Sequence, residues 1–216
     1  MRKNSFYKIT APEYESMIAK KDTEGGSYIH VYDKWVDFDM LEFFGDDALF
    51  KDEYELISPE EADKLIAEYN KKIEKLINGK AEEIAKQYHA GQTDKGDHPY
   101  MNHVYSVVDG VELAEEKIIA YLHDTLEDTS MTPGKMRQHR IPEFIILHVE
   151  LLTHDKEEDY FAYVGRLKYY PFAKNVKIAD LKNNLDTSRL KEITEDTKKR
   201  VRKYKKALKL LNDWEV

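Results

Sequence analysis

The spacing of apolar residues changes near residue 57. Before it, short aromatic-rich pieces are interrupted by the turn-prone segments "EGGS" and "GDD", and the stretch "SYIHVYDKW" alternates loosely, as a short strand does. After it, apolar positions recur with helical spacing almost to the end of the chain. The pattern therefore predicts two parts, a small α+β extension over residues 1–57 and a helical domain over residues 58–216.

The helical part begins with a strong N-terminal signal. Ser58 is the predicted N-cap, Pro59 takes the first helical position, Glu61 completes a capping box, and Gly79 stands where a C-terminal glycine belongs. Since few later segments have strand character, we predict an all-α fold, an orthogonal assembly of uneven helices that carries the extension at its N-terminus. The further predicted helices cover residues 81–90, 99–109, 112–128, 133–139, 141–153, 157–169, 171–186 and 194–212.

Composition and charge narrow the possible partners. The chain has 216 residues, a net charge of −8 and no cysteine. An acidic protein repels phosphate backbones, so we expect no nucleic-acid partner, and the lack of cysteine excludes disulfides and thiolate metal sites. No window approaches 18 consecutive apolar residues and the N-terminus lacks a signal-peptide core, so we expect a cytoplasmic protein with no membrane partner. Its oligomeric state is left open.

Candidate chemistry is concentrated at the end of the predicted helix 112–128. The segment "AYLHDTLEDTS" places His123, Asp124, Glu127 and Asp128 within six positions, and residues four apart share a helix face. Two interpretations stand at this point. The groups are either a solvated helix end, with the histidine capping carbonyls, or a metal site, because imidazole and carboxylate together suit Mn, Fe or Zn.

Two distant segments favour the metal site. His103 lies inside an apparent helix opened by Pro99 and is flanked by apolar residues. Asp180 lies in a similarly apolar helix, and an isolated ionised carboxylate in such surroundings is costly, so it needs a partner. Together with His123 and Asp124, these residues offer two nitrogen and two oxygen ligands to one divalent cation.

The three segments "HAGQTDKGDHPYMNHV", "LHDTLEDT" and "VKIADLKNNL", in this order, resemble the HD-type metal-dependent phosphohydrolases. They are most similar to the hydrolase domain of the RelA/SpoT alarmone enzymes and of their small single-domain homologues. The resemblance covers about residues 81–210. The synthetase domain of the long bifunctional enzymes has no counterpart here, so the resemblance implies an enzyme that only hydrolyses.

The resemblance implies a Mn²⁺-dependent pyrophosphohydrolase with a nucleotide substrate. Such an enzyme removes the 3′-pyrophosphate from guanosine bis-diphosphate alarmones, ppGpp and pppGpp, by means of metal-activated water. The segment Arg200-Val201-x-x-Tyr204 resembles, more loosely, a later nucleotide-contacting segment of the family. The implied roles are metal ligation by His103, His123, Asp124 and Asp180, water activation by Glu127 and Asp128, and substrate binding by Lys95, Asn184 and Tyr204.

One departure from the family pattern leaves the substrate open. The family often has Arg immediately before the phosphate-side lysine, where this chain has Asp94. Arginine can stack on a purine and donate two hydrogen bonds, and aspartate can do neither. The alternatives are another phosphorylated nucleotide, such as NADPH or an adenosine alarmone, and a nucleotide-sensing protein without turnover. The intact pair of Glu127 and Asp128 argues against the latter, because a binding protein has no physical need for acids that activate water.

Overall fold

The N-terminal part of the chain forms a five-stranded antiparallel sheet. The computed structural model describes residues 4–14, 17–37, 53–188, 190 and 192–213. The strand order is β4-β3-β2-β1-β5. The turn-prone segment "GDD" lies outside the described residues. The strands are β1 (Ser5–Ile9), β2 (Ile18–Lys21), β3 (Ser27–Val31), β4 (Lys34–Asp37) and β5 (Tyr54–Ile57).

The segment predicted as one strand, "SYIHVYDKW", forms a hairpin instead. Strand β3 ends at Val31, and β4 begins at Lys34 and pairs back along it. Asp33, in the two-residue turn, has φ of 73°, in the left-handed region that Asp tolerates better than most residues. The loose alternation of the sequence continues through the turn, which is why the pattern alone gave one strand.

Helices form most of the rest of the described chain. Each helical range predicted from the sequence contains a helix, although several ends differ. The helices are α1 (Pro59–Lys75), α2 (Ala81–Tyr88), α3 (Met101–Asp109), α4 (Ala114–Leu122), α5 (Thr125–Asp128), α6 (Pro133–Gln138), α7 (Glu143–Leu152), α8 (Tyr160–Arg166), α9 (Pro171–Leu185) and α10 (Glu195–Asn212).

The predicted N-cap at Ser58 and the predicted glycine turn at Gly79 are confirmed, while the return bond of the capping box, from Glu61 to the Ser58 backbone, stays a prediction. The Ser58 side chain accepts a hydrogen bond from the Glu61 backbone N–H at 3.1 Å, which satisfies one of the free donors at the start of α1. Gly79 has φ of 118° in the π-helical turn that joins α1 to α2. This left-handed conformation favours glycine, which has no Cβ to clash.

The prediction of one continuous helix over residues 112–128 is wrong, because the chain forms two helices there, α4 and α5. The His123 ring donates from Nδ1 to the Ala120 carbonyl at 2.7 Å, and the Thr125 hydroxyl donates to the Leu122 carbonyl at 2.7 Å. These side chains occupy carbonyls at the end of α4, where the helix leaves them without backbone partners. Asp124 then has φ of −99° and ψ of −1°, which departs from ideal α-helical geometry, and it is the N-cap of α5.

The sheet and the helices share one hydrophobic core. The rings of Tyr14, between β1 and β2, and Phe144 of α7 contact each other at a centroid distance of 5.6 Å. The fully buried carboxylate of Glu115 on α4 accepts hydrogen bonds from the Tyr32 backbone N–H of the β3–β4 turn at 2.7 Å and from the Tyr69 hydroxyl of α1 at 3.0 Å. Core residues from the sheet side include Ile9, Met17, Ala19, Ile29 and Val31, and those from the helices include Tyr69, Ile73, Ile118 and Phe144.

The prediction of an all-α fold is therefore wrong, and the chain has a mixed α+β fold. The strands are only four or five residues long, and segments such as "IAKK" and "YELI" have no clear two-residue alternation. Their backbone hydrogen bonds are satisfied by partners distant in sequence, which a local periodicity cannot reveal. The proposed boundary at residue 57 stays a prediction.

Helices α3 and α9 approach each other closely near Asp180. A Cβ placed on Gly110, just after α3, would lie 2.8 Å from the Cβ of Ala179 on α9. Only glycine allows this contact, which brings the end of α3 against α9 beside Asp180. In the part of the chain that the structure describes, no helix is both long and apolar enough to span a membrane.

Candidate active site

A cavity of about 510 Å³ gathers most of the residues that the sequence singled out. Its walls come from α3, α5, α8, α9 and α10 and from the segments that follow α2, α7 and α9. His123 lies directly behind the wall and is buried. The predicted site residues that line the cavity are Lys95, His103, Asp124, Glu127, Asp128, Asp180, Asn184 and Tyr204.

Two buried histidines face each other at the bottom of this cavity. The Nε2 atoms of His103 and His123 are 3.3 Å apart, although the residues are twenty positions apart in the chain. The Oδ1 atom of Asp180 lies 3.5 Å from Nε2 of His103. Ligand atoms from these three residues all lie within 4.8 Å of one another, which is close enough for one cation to contact all of them.

The hydrogen bonds on the far side of each ring show which nitrogen is free. His103 donates from Nδ1 to Oδ1 of Asn183 at 2.7 Å, and His123 donates from Nδ1 to the Ala120 carbonyl at 2.7 Å. In the neutral form both Nε2 atoms then carry lone pairs that point toward each other. Such a pair is repulsive unless a cation or a proton lies between them, and this orientation by an outer hydrogen bond is typical of metal-binding histidines. The residues present therefore fit a divalent cation.

Asp124 contacts both histidines from the cavity side. Its Oδ2 atom lies 2.9 Å from Nε2 of His123 and 3.4 Å from Nε2 of His103. The hydroxyl of Tyr100 donates to the same Oδ2 atom at 2.5 Å and lies 3.2 Å from Oδ2 of Asp128. Burial and these two carboxylates raise the pKa of Tyr100 far above its usual value, so the hydroxyl remains a donor.

The electrostatics of the histidine and aspartate groups show how strongly they depend on each other. Burial alone would lower the pKa of His123, but Asp124 and Asp180 outweigh it and raise the pKa to about 9. Burial would raise the pKa of Asp124, but His123 and His103 hold it well below its usual range. The site therefore keeps its carboxylate ionised and demands positive charge at the imidazoles.

Asp180 is held by two neighbours on α9. Lys177 Nζ lies 2.9 Å from its Oδ2 atom, and the Asn184 amide donates to its Oδ1 atom. Burial would lower the pKa of Lys177, but Asp180 and the nearby Tyr163 raise it well above its usual value. Sequence reasoning did not identify Lys177, and its position three residues before Asp180 in "VKIAD" was the signal that could have revealed it. Asn184, expected to orient substrate, contacts Asp180 here, and its substrate role stays a prediction.

The two remaining acids, Glu127 and Asp128, are exposed to the cavity rather than buried. Oε2 of Glu127 accepts a hydrogen bond from the His154 backbone N–H at 3.2 Å, and Asp128 shares the hydroxyl of Tyr100. Both lie on the short helix α5, one turn beyond Asp124. The break after Leu122 is what turns this acid pair into the cavity. The sequence also did not predict Tyr100 as a site residue, although it precedes His103 by one helical turn.

The carboxylate of Asp94, the residue that departs from the family pattern, organises its own loop. Its Oδ1 atom accepts hydrogen bonds from the backbone N–H groups of Gly96 at 2.8 Å and His98 at 3.0 Å. Asp97, within the same turn, has φ of 65°. Asp94 therefore shapes the loop that carries Lys95 into the cavity.

Comparison with known proteins shows a likeness to solved structures. No family model and no curated protein matches this chain. Among solved structures, a metazoan ortholog of SpoT, described as hydrolysing ppGpp and acting in starvation responses, superimposes with a TM-score of 0.53 at 21% sequence identity. The match covers 66% of this chain and 86% of that chain. At this identity the likeness shows a shared fold.

Proposed function

We propose that this protein is a metal-dependent phosphohydrolase that removes the 3′-pyrophosphate from guanosine bis-diphosphate alarmones. The observation that carries the proposal is the facing pair of imidazole Nε2 atoms, with Asp124 and Asp180 beside them, in a cavity that also exposes an acid pair. The fold shared with a protein that hydrolyses ppGpp supports the substrate class.

The metal centre would consist of the four residues predicted as ligands. His103, His123, Asp124 and Asp180 would hold one divalent cation, which the family resemblance suggests is Mn²⁺. A cation bound there supplies a lowered pKa for water and charge neutralisation at a phosphoryl oxygen. The protein's own contribution is orientation, because Asn183 fixes the ring of His103 and Lys177 fixes the carboxylate of Asp180.

Glu127 and Asp128 would handle the proton of the attacking water. Glu127 uses Oε2 to accept from the His154 N–H, which orients the carboxylate while Oε1 can accept the water proton. A general base of this kind contributes a factor of roughly 10²–10⁴ to the rate. The Tyr100 hydroxyl donates to Asp124 and lies 3.2 Å from Asp128, so it connects the acid pair to the proposed metal ligands.

A second candidate substrate is another phosphorylated nucleotide, such as NADPH or an adenosine alarmone. The observation that favours it is the engagement of Asp94 with its own loop backbone. A side chain used in this way does not stack on a guanine or donate to it, as the arginine found in the family can.

One substrate panel tests the proposal. The purified protein with Mn²⁺ is offered the guanosine and adenosine 3′,5′-bis-diphosphates, NADPH and simple nucleotides, and released pyrophosphate and phosphate are followed. Pyrophosphate from the 3′-position of the guanosine compound is expected, and a chelator should abolish its release. Phosphate from NADPH, or a preference for the adenosine compound, would favour the second candidate. Saturable nucleotide binding with no turnover under any divalent metal would contradict the proposed activity and indicate a sensing protein.

A further inference from the structure

The segment between α7 and α8, residues 153–159, carries His154 into the wall of the cavity. The backbone N–H of His154 donates to Oε2 of Glu127 at 3.2 Å. A backbone donor in a connecting segment can orient a carboxylate only if the segment itself is held, because connecting segments are more mobile than the helices they join. The contacts of the His154 side chain show how this segment is held.

The imidazole ring of His154 is fixed by a hydrogen bond and by aromatic packing. Its Nε2 atom lies 3.0 Å from the carbonyl oxygen of Glu158, four residues further along the chain. Because a carbonyl oxygen only accepts, Nε2 is the donor. The ring centroids of Tyr163 and Tyr160, both on α8, lie 4.8 Å and 5.6 Å from that of His154. The side chain is thereby clamped against α8, and this gives the backbone N–H of the same residue a defined direction.

The groups that clamp the His154 ring are held in turn. Tyr163 is fully buried, and its hydroxyl donates to the carbonyl of Leu152, the last residue of α7, at 2.5 Å. Glu158 forms an ion pair with Arg166, whose guanidinium carbon lies 5.2 Å from the centroid of the Tyr163 ring. The segment is therefore fastened to the end of α7 on one side and to α8 on the other.

Tyr163 also contacts the metal side of the site. Lys177, whose Nζ atom pairs with Asp180 at 2.9 Å, lies with that atom 5.5 Å from the centroid of the Tyr163 ring. One buried ring thus packs against a neighbour of a proposed metal ligand and against the segment that orients Glu127. Reacting groups need supporting residues that are themselves locked by packing, and Tyr163 meets this condition for both.

We propose that His154 is a positioning residue, whose clamped side chain directs its backbone N–H to Oε2 of Glu127 and so turns Oε1 toward the attacking water. This role rests on the proposed function, since His154 acts through Glu127 on the same water. His154 acts without touching the substrate. Loss of its side chain should therefore lower kcat and leave KM unchanged, whereas loss of a substrate contact would raise KM.

Variants at residue 154 test the role by steady-state kinetics. His154→Ala loses both the ring and the donor to Glu158, and it should lower kcat by up to about 100-fold, as misplaced reacting groups do. His154→Gln keeps an N–H donor near the position of Nε2 and should retain most of kcat. The matched control is His139→Ala, because His139 is likewise half-buried at a helix end and packs on a tyrosine, Tyr88, but does not line the cavity. This control should change neither kcat nor KM.

A double variant separates positioning from a general loss of structure. Because His154 acts through Glu127, His154→Ala should cost little more activity once Glu127→Gln has removed the carboxylate. Three results would overturn the positioning role: losses that multiply in the double variant, a rise in KM with kcat unchanged in His154→Ala, and equal losses of kcat in His154→Ala and His154→Gln.

Hydrogen exchange followed by NMR tests the contact without turnover. The amide of residue 154 should be more protected in the wild-type protein and in His154→Gln than in His154→Ala, because a loose segment forms the hydrogen bond to Glu127 less often. Equal protection in all three proteins would show that the side chain does not hold the N–H, and would overturn the inference. If the wild-type protein hydrolyses no compound of the substrate panel, the proposed function fails, and the exchange rates still decide whether the His154 side chain holds the N–H that contacts Glu127.

Discussion

The buried histidines of this protein occupy two contrasting environments. His123 behind the cavity wall and His148 on α7 are 3% and 1% exposed, and each donates from Nδ1 to a backbone carbonyl at 2.7 Å. Yet Asp124 and Asp180 outweigh the burial of His123 and raise its pKa to about 9, whereas burial lowers the pKa of His148 to about 4. Burial and the Nδ1 contact are the same, so the difference lies in what faces the other nitrogen.

Aromatic rings surround His148. The centroids of Phe144 and Phe172 lie 4.4 Å and 5.5 Å from its ring, and that of Tyr170 lies 6.4 Å away. In such surroundings the neutral imidazole is favoured, because a charged ring would lose its hydration without gaining a partner. His148 is thus a core residue, while His103 and His123 are held in a site that attracts cations. The comparison shows that a buried histidine becomes a candidate ligand through its acidic neighbours.

The largest expected effect is on turnover, when an acid beside the histidine site is neutralised. Glu127→Gln keeps the shape of the side chain but removes the carboxylate that would accept the water proton. Turnover of the preferred substrate should fall roughly 10²–10⁴-fold. Mn²⁺ affinity, followed by calorimetry, should remain, because Glu127 is not among the predicted ligands.

The control for this change is Glu157→Gln, at an exposed acid that does not line the cavity. It should leave turnover and Mn²⁺ affinity unchanged. Full activity in Glu127→Gln would show that another group activates the water.

The next effect is the acid sensitivity expected from His148. Its pKa is about 4 in the folded protein and near the ordinary value of 6.5 in the unfolded chain, which therefore binds the extra proton as pH falls between these values. The stabilisation is fully present above about pH 6.5 and is lost toward pH 4, with a magnitude on the order of 3 kcal/mol. In His148→Leu, the decrease in unfolding free energy between pH 7 and pH 4 should be smaller by about this amount.

Urea unfolding of both proteins at a series of pH values measures this difference. Acidic residues titrate in the same range, so only the difference between wild type and variant reports on His148. If the two proteins lose stability equally on acidification, the assignment of His148 as a neutral core residue is wrong.

The smallest expected effect concerns the outer hydrogen bond of His103. Asn183→Ala removes the acceptor that holds Nδ1 and so frees the ring to rotate. Changes of this kind cost about 10–100-fold in metal affinity. Asn183→Asp retains an oxygen acceptor and should keep the affinity. Equal Mn²⁺ binding by Asn183→Ala and the wild-type protein would mean that packing alone orients His103.

The sequence indicated many of the residues that line the cavity, but it did not indicate several of the contacts between them. The helical surroundings of His103 and Asp180 indicated burial, and the structure places both beside His123. Lys177 and Tyr100 were missed because a lysine or tyrosine one turn from a ligand is common on any helix. Only the distances of 2.9 Å to Asp180 and 2.5 Å to Asp124 distinguish them.

The two parts of the chain also differ in how well local sequence patterns predict their structure. The N-terminal cap at Ser58 and the glycine turn at Gly79 were predicted correctly, since capping and left-handed turns depend on neighbouring residues. The all-α class failed because β1 pairs with both β2 and β5, and β5 lies more than forty residues further along the chain. A strand is stabilised by partners that local spacing does not specify.

By itself, the sequence determined where the helices form and which chemical groups they carry, because helix signals and residue types are local properties. The tertiary structure decided what those groups do together. It paired the Nε2 atoms of His103 and His123, assigned Lys177 to Asp180, and left Lys203 facing the cavity. These outcomes depend on how helices distant in sequence pack against one another and against the sheet. Packing therefore decides which charges are neutralised and which remain available to a ligand.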